Sequence, residues 1–170
     1  GYFVESTGAT TQQPCPIGSK SSGEETDPNC DRCQAGRFQN ETGQASCKNC
    51  AQGYYTNSLG YHTTCSACNP GETTSGSGQT ECQNCGAGTY SSSETYFLCQ
   101  PCASGFYSGS GASSCTACSK GYKGKSGTGY TKLSDACIAC EKGTYQDEEG
   151  KLTCKAVSYT HLTLPTSQLV

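Results

Sequence analysis

The chain has 170 residues, a formal net charge of −3, 32% hydrophobic residues, no Met, no Trp, 16 Cys and 22 Gly. This composition excludes the large apolar core that a chain of this length normally buries. Disulfides must therefore supply much of the stability, which indicates an extracellular or lumenal protein. The 11 basic residues form no block, which argues against a nucleic acid or an anionic lipid surface as partner. No stretch approaches the roughly 20 apolar residues of a membrane span, and we expect the chain to be an interior fragment of a longer protein.

Residues 1–14 resemble an incomplete copy of a unit that recurs later in the chain. The letters G-Y-F from Gly1 match G-Y-Y from Gly53, and Gly8 stands at the position of a turn glycine. Gln12 stands where the later copies have a closing cysteine. We interpret 1–14 as a partial, degenerate upstream module.

The cysteines form seven C-x2-C pairs between two single residues, Cys15 and Cys154. If the second member of each pair bonds to the first member of the next pair, all 16 cysteines are used and eight closed modules result. We number these modules 1 to 8 and call their two cysteines the opening and closing cysteine: Cys15–Cys30 (15–30), Cys33–Cys47 (33–47), Cys50–Cys65 (50–65), Cys68–Cys82 (68–82), Cys85–Cys99 (85–99), Cys102–Cys115 (102–115), Cys118–Cys137 (118–137) and Cys140–Cys154 (140–154).

Two other pairings remain open from the spacing. An interlaced scheme would join Cys30 to Cys47 and Cys33 to Cys50, but it groups the pairs two by two and leaves one pair over. Bonding within each C-x2-C is typical of redox motifs, and it would leave Cys15 and Cys154 as distant single thiols.

A glycine stands three residues after every opening cysteine, and an aromatic residue follows it at a distance of two in five modules. Such regularity predicts a backbone with positive φ or a close approach, at the neighbouring disulfide, that a Cβ would block. The aromatic residues are expected to cover the neighbouring disulfide. The glycines are Gly18, Gly36, Gly53, Gly71, Gly88, Gly105, Gly121 and Gly143, and the aromatic residues are Phe38, Tyr55, Tyr90, Tyr107 and Tyr145.

A second glycine, as at Gly43, Gly78, Gly111 and Gly150, lies four residues before the closing cysteine and predicts the tip of a hairpin. The sequence thus predicts a small disulfide-rich repeat protein, with tandem short β-hairpin modules stacked into an extended rod, little regular secondary structure and no helix. We expect a two-residue hinge between modules. We also expect each module to contact only its immediate neighbours, as in a solenoid.

The unit from Cys85 through Gly88 and Tyr90 to Cys99 resembles the ephrin-receptor-like cysteine-rich repeat, and it is similar to the first loop of tumour necrosis factor receptor cysteine-rich modules. The resemblance covers Cys15 to Cys154. The full receptor module has further cysteines with crossed bonds that this chain lacks, so its mode of ligand binding is not carried over. The resemblance implies an extended ectodomain segment.

Residues 155–170 depart from the repeat. The string V-S-Y-T-H-L-T-L-P-T from Val157 resembles a translated sequencing adapter. We interpret 155–170 as an artefactual, unstructured tail and give His161 no functional role.

Metal and catalytic sites have little support in the residues. Paired C-x2-C motifs such as Cys30–Cys33 and Cys47–Cys50 approach zinc-ribbon spacing, but an odd number of pairs does not divide into four-cysteine sites. His62 is the one histidine before the tail and is expected to face solvent in a turn. The acidic runs at Glu24 and Asp147 lack the ligand pattern of an EF-hand. We predict no enzyme activity and no cofactor.

Recognition features are sparse. Asn40-Glu41-Thr42 is the one N-glycosylation sequon. The aromatic residues beside the repeat position, Tyr54, Tyr61, Tyr96, Phe106 and Tyr130, could form a binding face or cover disulfides. Module 7 has the longest loop and contains Lys120, Lys123, Lys125 and Lys132, which makes it the first candidate for a specialised module.

The function that we predict is that of an extracellular spacer or stalk segment in a larger secreted or cell-surface protein. The alternative is a receptor-type ectodomain segment that binds a protein or glycan ligand. A zinc-ribbon array is a minor alternative.

Overall fold

A computed structural model of the chain describes residues 1–4, 11–21, 29–92 and 98–158. Within these ranges the chain forms a row of two-stranded antiparallel hairpins. The strands are Tyr2–Phe3 (β1), Gln13–Pro14 (β2), Ser19–Lys20 (β3), Asp31–Arg32 (β4), Arg37–Phe38 (β5), Lys48–Asn49 (β6), Tyr54–Tyr55 (β7), Ser66–Ala67 (β8), Glu72–Thr73 (β9), Gln83–Asn84 (β10), Thr89–Tyr90 (β11), Gln100–Pro101 (β12), Phe106–Tyr107 (β13), Thr116–Ala117 (β14), Tyr122–Gly124 (β15), Cys137–Ala139 (β16), Thr144–Tyr145 (β17) and Lys155–Ala156 (β18).

The short strands confirm the predicted disulfide-rich hairpin repeat, but the residues between closing and opening cysteines are not hinges. Lys48 and Asn49, which lie inside a C-x2-C pair, form β6 and pair with Phe38 and Arg37 of β5. The equivalent residues form the return strand in the other modules. The segment that was expected to bend is therefore hydrogen-bonded into the hairpin, and each module is fixed to the next.

One helical turn, Leu133–Ala136 (α1), corrects the expectation of no helix. It lies in module 7, whose cysteines are 19 residues apart, whereas those of the other modules are separated by 13 to 15 residues. The extra chain is taken up as one turn that buries Ala136 completely against Cys118 and Cys137. A helix of four residues is too short to show the helical repeat of apolar residues, so the sequence did not predict it.

Consecutive modules are joined by a recurring set of backbone hydrogen bonds. The Gly36 amide donates to the Thr56 carbonyl of the next module at 2.8 Å, and the Cys50 amide donates back to the Gly36 carbonyl at 2.9 Å. The Gly78 amide donates to the Cys50 carbonyl at 2.8 Å. The turn glycine is therefore bonded to the preceding module and is not a free hairpin tip.

The modules also contact the module two places further along the chain, which corrects the expectation of nearest-neighbour contacts alone. The backbone of Gly36 in module 2 lies against that of Gly78 in module 4. Gly88 of module 5 lies in the same way against Gly129 of module 7. Modules of odd and of even number thus stack on members of their own series wherever the contact is described.

The N-terminal segment has the geometry of a module without a disulfide. Tyr2 and Phe3 pair with Pro14 and Gln13, in the register that Tyr54 and Tyr55 make with Ala67 and Ser66. The Cys15 amide donates to the Gly1 carbonyl at 3.0 Å, as later opening cysteines do to their preceding glycines. These contacts support our proposal of a partial upstream module. Its predicted turn residue, Gly8, lies outside the described residues.

Candidate functional site

Eight disulfides run along the described array in series. They join Cys15–Cys30, Cys33–Cys47, Cys50–Cys65, Cys68–Cys82, Cys85–Cys99, Cys102–Cys115, Cys118–Cys137 and Cys140–Cys154, with Cα–Cα distances from 5.5 to 5.9 Å. These distances are normal for a disulfide. The opening cysteines of modules 1 to 7 are at most 4% exposed, so one sulfur of each of these bonds is screened from thiols in solution.

The disulfides leave no sulfur for other chemistry. The protein has no free cysteine, and a cysteine binds zinc or acts as a nucleophile only as its thiolate. A zinc-ribbon array would need these bonds to be reduced. His62, the candidate for acid–base chemistry, directs its Nε2 atom to the Ser58 carbonyl oxygen at 2.9 Å and holds its own loop together.

The glycines after the opening cysteines combine both properties that the sequence left as alternatives. All eight have φ between 80° and 89°, the left-handed region that favours glycine. For five of them the described backbone of the module two places ahead also comes close: Gly18, Gly36, Gly71, Gly88 and Gly105. A Cβ on Gly71 would lie 2.3 Å from the Gly111 oxygen. The close neighbour is thus another module's turn and not the adjacent disulfide.

The repeat aromatic residues lie half-buried along the array. Phe38, Tyr55, Tyr90 and Tyr107 are partly covered, while Tyr145 in module 8 is 44% exposed. Tyr107 packs against the buried Cys118, Ala136 and Cys137 together with Tyr130. The proposed covering of a disulfide is therefore seen in module 7.

Sequence reasoning missed a buried polar position, six residues after the opening cysteine. It is Ser21, Gln39, Thr56, Thr74, Ser91, Ser108 and Gln146, each at most 5% exposed, and a buried Gly124 in module 7. The Thr74 hydroxyl accepts a hydrogen bond from the Gly53 amide at 2.7 Å and donates one to the Gly76 carbonyl at 2.9 Å. The interior of the array is thus sulfur and satisfied polar groups. The recurrence of Ser, Thr and Gln at this position was the signal available.

Asn40, the sequon residue, is exposed. Its Oδ1 accepts a hydrogen bond from Lys48 Nζ at 2.9 Å, and the same ammonium pairs with Glu41. No described residue bonds to Asn40 Nδ2, the atom that carries the sugar in an N-linked glycan.

The aromatic residues outside the repeat position are not brought together as one face. Phe106 lies beneath the turn of module 8, where a Cβ on Gly150 would lie 2.8 Å from its ring. The Tyr130 hydroxyl donates to the Ser126 carbonyl at 2.7 Å, and Tyr54 is half-buried. Tyr61 is 57% exposed, and Tyr96 lies outside the described residues.

The lysines of module 7 are partly engaged. Lys125 Nζ donates to the Ser134 carbonyl at 3.3 Å, and Lys132 lies 3.9 Å from Asp135. Lys125 and Lys132 thus contact residues of their own loop at its surface.

The acidic run of module 8 forms an exposed ion-pair cluster with lysines. Lys155 lies 2.6 Å from Asp147 and 3.2 Å from Glu148, and Lys151 lies 3.0 Å from Glu148. The hydrogen bond from Lys155 lowers the pKa of Asp147, and that from Lys151 is the largest cause lowering the pKa of Glu148. Glu24 lies outside the described residues. Among those described, no three His, Cys, Asp or Glu side chains are grouped to hold a metal ion.

No helix in the described ranges has both the length and the apolar character needed to cross a bilayer. The expectation that residues 155–170 are unstructured is wrong for Lys155–Ala156, which form β18 and pair with Thr144–Tyr145. The artefactual origin of the segment remains a prediction, and 159–170 lie outside the described part of the chain.

Two regions of the chain, residues 18–61 and 127–165, match a family model described as tyrosine-protein kinase ephrin type A/B receptor-like. The match confirms the predicted resemblance to ephrin-receptor-like cysteine-rich repeats. It indicates an extracellular segment of receptor type, and repeats of this kind are non-catalytic ectodomain units. No curated protein matches the chain in a sequence search.

Proposed function

We propose that this chain, which carries ephrin-receptor-like cysteine-rich repeats, is a stiff extracellular spacer without enzyme activity. It would hold other domains of a longer secreted or cell-surface protein at a set distance from a membrane or matrix. The eight modules, 15–154, would be its repeating parts, and 1–14 would be a ninth, incomplete one.

The observation that carries the proposal is the double interlock between modules. Each opening-cysteine carbonyl with a described partner accepts a bond from the next module's turn, as in Gly111 to Cys85 at 2.8 Å. Modules 1, 2, 4, 5 and 6 also contact the module two places ahead within the described residues, as Gly88 contacts Gly129. Bending the array at one joint would break both kinds of contact, so stiffness is distributed along its length.

The distance distribution between two labels tests the stiffness of the array. Ala51 and Glu141 are exposed and stand directly after the opening cysteines of modules 3 and 8. Paired spin labels introduced there as unnatural amino acids should give one narrow distance distribution. A broad distribution in the unmodified array would contradict the proposal.

Two variants serve as a matched pair for this measurement. Gly88→Ala should broaden the distribution, because a Cβ there would lie 2.1 Å from the Gly129 oxygen. Gly121→Ala should leave it narrow, because Gly121 has a similar φ of 85° but nothing within 4 Å of a Cβ. Equal widths would show that the contact between alternate modules does not stiffen the array.

The spacer role is tested in the longer protein on a cell surface. Deleting residues 50–84 removes two repeats in register and should lower the height of an N-terminal tag above the membrane. Serine substitutions at exposed loop residues should leave that height unchanged. An unchanged height after the deletion would count against the spacer.

A receptor-type role is the second candidate, and one observation favours it. The loop of module 3 exposes Leu59 at 61% and Tyr61 at 57%, more than any other large hydrophobic residue of the described chain. Exposed large apolar side chains contribute nothing to a spacer role, whereas they are typical of sites that bind a partner.

A further inference from the structure

The loop of module 3 departs from the repeat in a way that presents two apolar side chains. Its cysteines are 15 residues apart, and the amide that bonds to the preceding opening cysteine belongs to Gly60. Unlike the turn glycines Gly43 and Gly78, Gly60 does not have positive φ. Leu59 and Tyr61 flank it and are exposed on the outside of the array.

The loop is held rigidly from three sides. The Gly60 amide donates to the Cys33 carbonyl at 3.1 Å, and the His62 carbonyl accepts from the Gln39 amide at 2.8 Å. The His62 ring bonds to the Ser58 carbonyl across the loop. Side chains on such a loop lose little conformational entropy when a partner binds.

Tyr61 also connects the loop to module 1. A Cβ on Gly18 would lie 2.5 Å from the Tyr61 carbonyl carbon, so Ile17, which precedes Gly18 and is 46% exposed, lies beside this loop. Ile17 is thus the exposed apolar residue of module 1 that stands next in sequence to the contact between Gly18 and Tyr61.

Arg32 of the intervening β4 strand adds an ordered charge. Its guanidinium lies over the Tyr61 ring, 5.2 Å from the centroid, within the range of a cation–π interaction. Arg32 has no hydrogen-bond or ion-pair partner among the described residues, whereas Lys20 nearby pairs with Asp31 at 3.4 Å. The ring thus orients a guanidinium whose N–H groups, within the described part of the chain, have no partner and could bind a planar anion.

We propose that this surface, formed by Ile17, Arg32, Leu59 and Tyr61, binds a protein segment that carries a carboxylate next to an apolar side chain. The carboxylate would accept hydrogen bonds from the guanidinium group of Arg32. The apolar side chain would lie against Leu59 in the adjoining groove of about 440 Å³, whose other lining residues are Cys30, Arg32, Gln34 and the Lys20–Asp31 ion pair. Arg and Tyr are the residues most enriched at the energetic centres of protein interfaces.

Charge and polarity together favour a protein segment over a sulfated glycan. A sulfated chain would need several free cations, but Lys20 is paired with Asp31, which leaves Arg32 as the one cation of this surface without an acidic partner among the described residues. Exposed Leu and Ile side chains contribute little to binding a polar sugar chain, whereas they add to the binding of an apolar side chain.

A displayed library of random 12-residue peptides, selected on the full oxidised chain, tests the proposal. We expect enrichment of peptides with Asp or Glu beside Leu, Ile or Phe. Binding of a synthesised selected peptide should fall at least about tenfold with Arg32→Gln and with Leu59→Ser. Heparin, titrated in parallel, serves as the sulfated probe.

Two control substitutions each remove a side chain of the same kind outside the proposed surface. Ile138→Ser removes another exposed apolar side chain, 42% exposed, and Lys142→Gln removes another exposed cation. Both should bind the peptide within about twofold of the unchanged chain. Circular dichroism and a non-reducing peptide map would establish that every variant keeps the fold and the eight disulfides.

Three outcomes would overturn the proposal. One is that no acidic–apolar peptide is enriched, and another is that Arg32→Gln binds the selected peptide as well as the unchanged chain does. The third is that heparin alone binds and loses its affinity in Arg32→Gln, which would assign the surface to an anionic glycan. None of these outcomes alters the label distances that test the spacer, so the two proposals fail separately.

Discussion

Gly36 and Gly78 lie so close together that a Cβ on Gly36 would be 2.1 Å from the Gly78 carbonyl oxygen. The two residues belong to modules 2 and 4, with module 3 between them in the chain. The pairs Gly71 with Gly111 and Gly88 with Gly129 repeat this relationship. In these three pairs the glycine after the opening cysteine thus serves both a left-handed backbone and the packing of alternate modules.

Replacing Gly36 with Ala should destabilise the array more than the same change at Gly143. Both glycines have φ near 80°, so each substitution costs about 1–2 kcal/mol for a left-handed residue. Only at Gly36 does the Cβ also meet backbone, whereas nothing lies within 4 Å at Gly143. Overpacking of this kind adds about 1–3 kcal/mol.

Thermal unfolding under oxidising conditions, with amide exchange of modules 2 to 4, measures this difference. Gly36→Ala should have the lower midpoint and faster exchange in module 4. Equal midpoints for the two variants would mean that the contact between alternate modules contributes nothing to stability.

The Thr74 hydroxyl is expected to be essential to the polar interior of module 4. Thr74→Val keeps the shape but leaves the buried Gly53 amide, now bonded at 2.7 Å, without a partner, which costs about 1–3 kcal/mol. Thr74→Ser retains the hydroxyl and serves as the control. Amide exchange at Gly53 should quicken in the valine variant and change little in the serine variant. Unchanged exchange in the valine variant would show that another group replaces the hydroxyl.

The disulfide-linked hairpins could be predicted because their signals are local. An opening cysteine, a glycine three residues later and a closing cysteine define each unit. The 16 cysteines of the chain are enough for eight such bonds. The return strands gave no such signal. Lys48 and Asn49 are polar and exposed, so no alternation of apolar residues distinguishes their strand from a hinge.

The stacking of alternate modules could not be predicted, because it depends on the rotation between successive hairpins. Nothing in the residues near Gly36 identifies Gly78 as its neighbour. The surface at Tyr61 was missed for the same reason: Gly18, Arg32 and Tyr61 belong to different modules or their junctions, and the stack brings them together.

The Lys155 cluster in module 8 should weaken at both extremes of pH. The pKa values of Asp147 and Glu148 are lowered from 3.8 and 4.5, so their contribution is complete above those values and is lost as the pH falls through the folded values. Bonds to Asp147 and Glu148 raise the pKa of Lys155 above 10.5. Its contribution is complete below 10.5 and is lost as the pH rises through the folded value.

Carboxyl titration by NMR, with two lysine variants, separates the two carboxylates. Lys155→Gln should raise the pKa of Asp147 towards 3.8, because the Lys155 hydrogen bond is the largest cause of its shift. Lys151→Gln should raise the pKa of Glu148 and leave that of Asp147 nearly unchanged. If the pKa of Asp147 is the same in Lys155→Gln as in the unchanged chain, the ion pair between Asp147 and Lys155 is contradicted.

Asn40 should carry an N-linked glycan when the chain is secreted from a eukaryotic cell. Lys48 bonds to Asn40 Oδ1, so a sugar on Nδ2 requires no rearrangement of that contact. Intact-mass measurement should show a glycan that peptide N-glycosidase removes. Asn40→Gln and Thr42→Ala should both abolish it, and Thr42→Ala does so while keeping the Asn40 and Lys48 pair. A secreted chain with the mass of the bare polypeptide would refute the assignment, because Asn40-Glu41-Thr42 is the one sequon in the sequence.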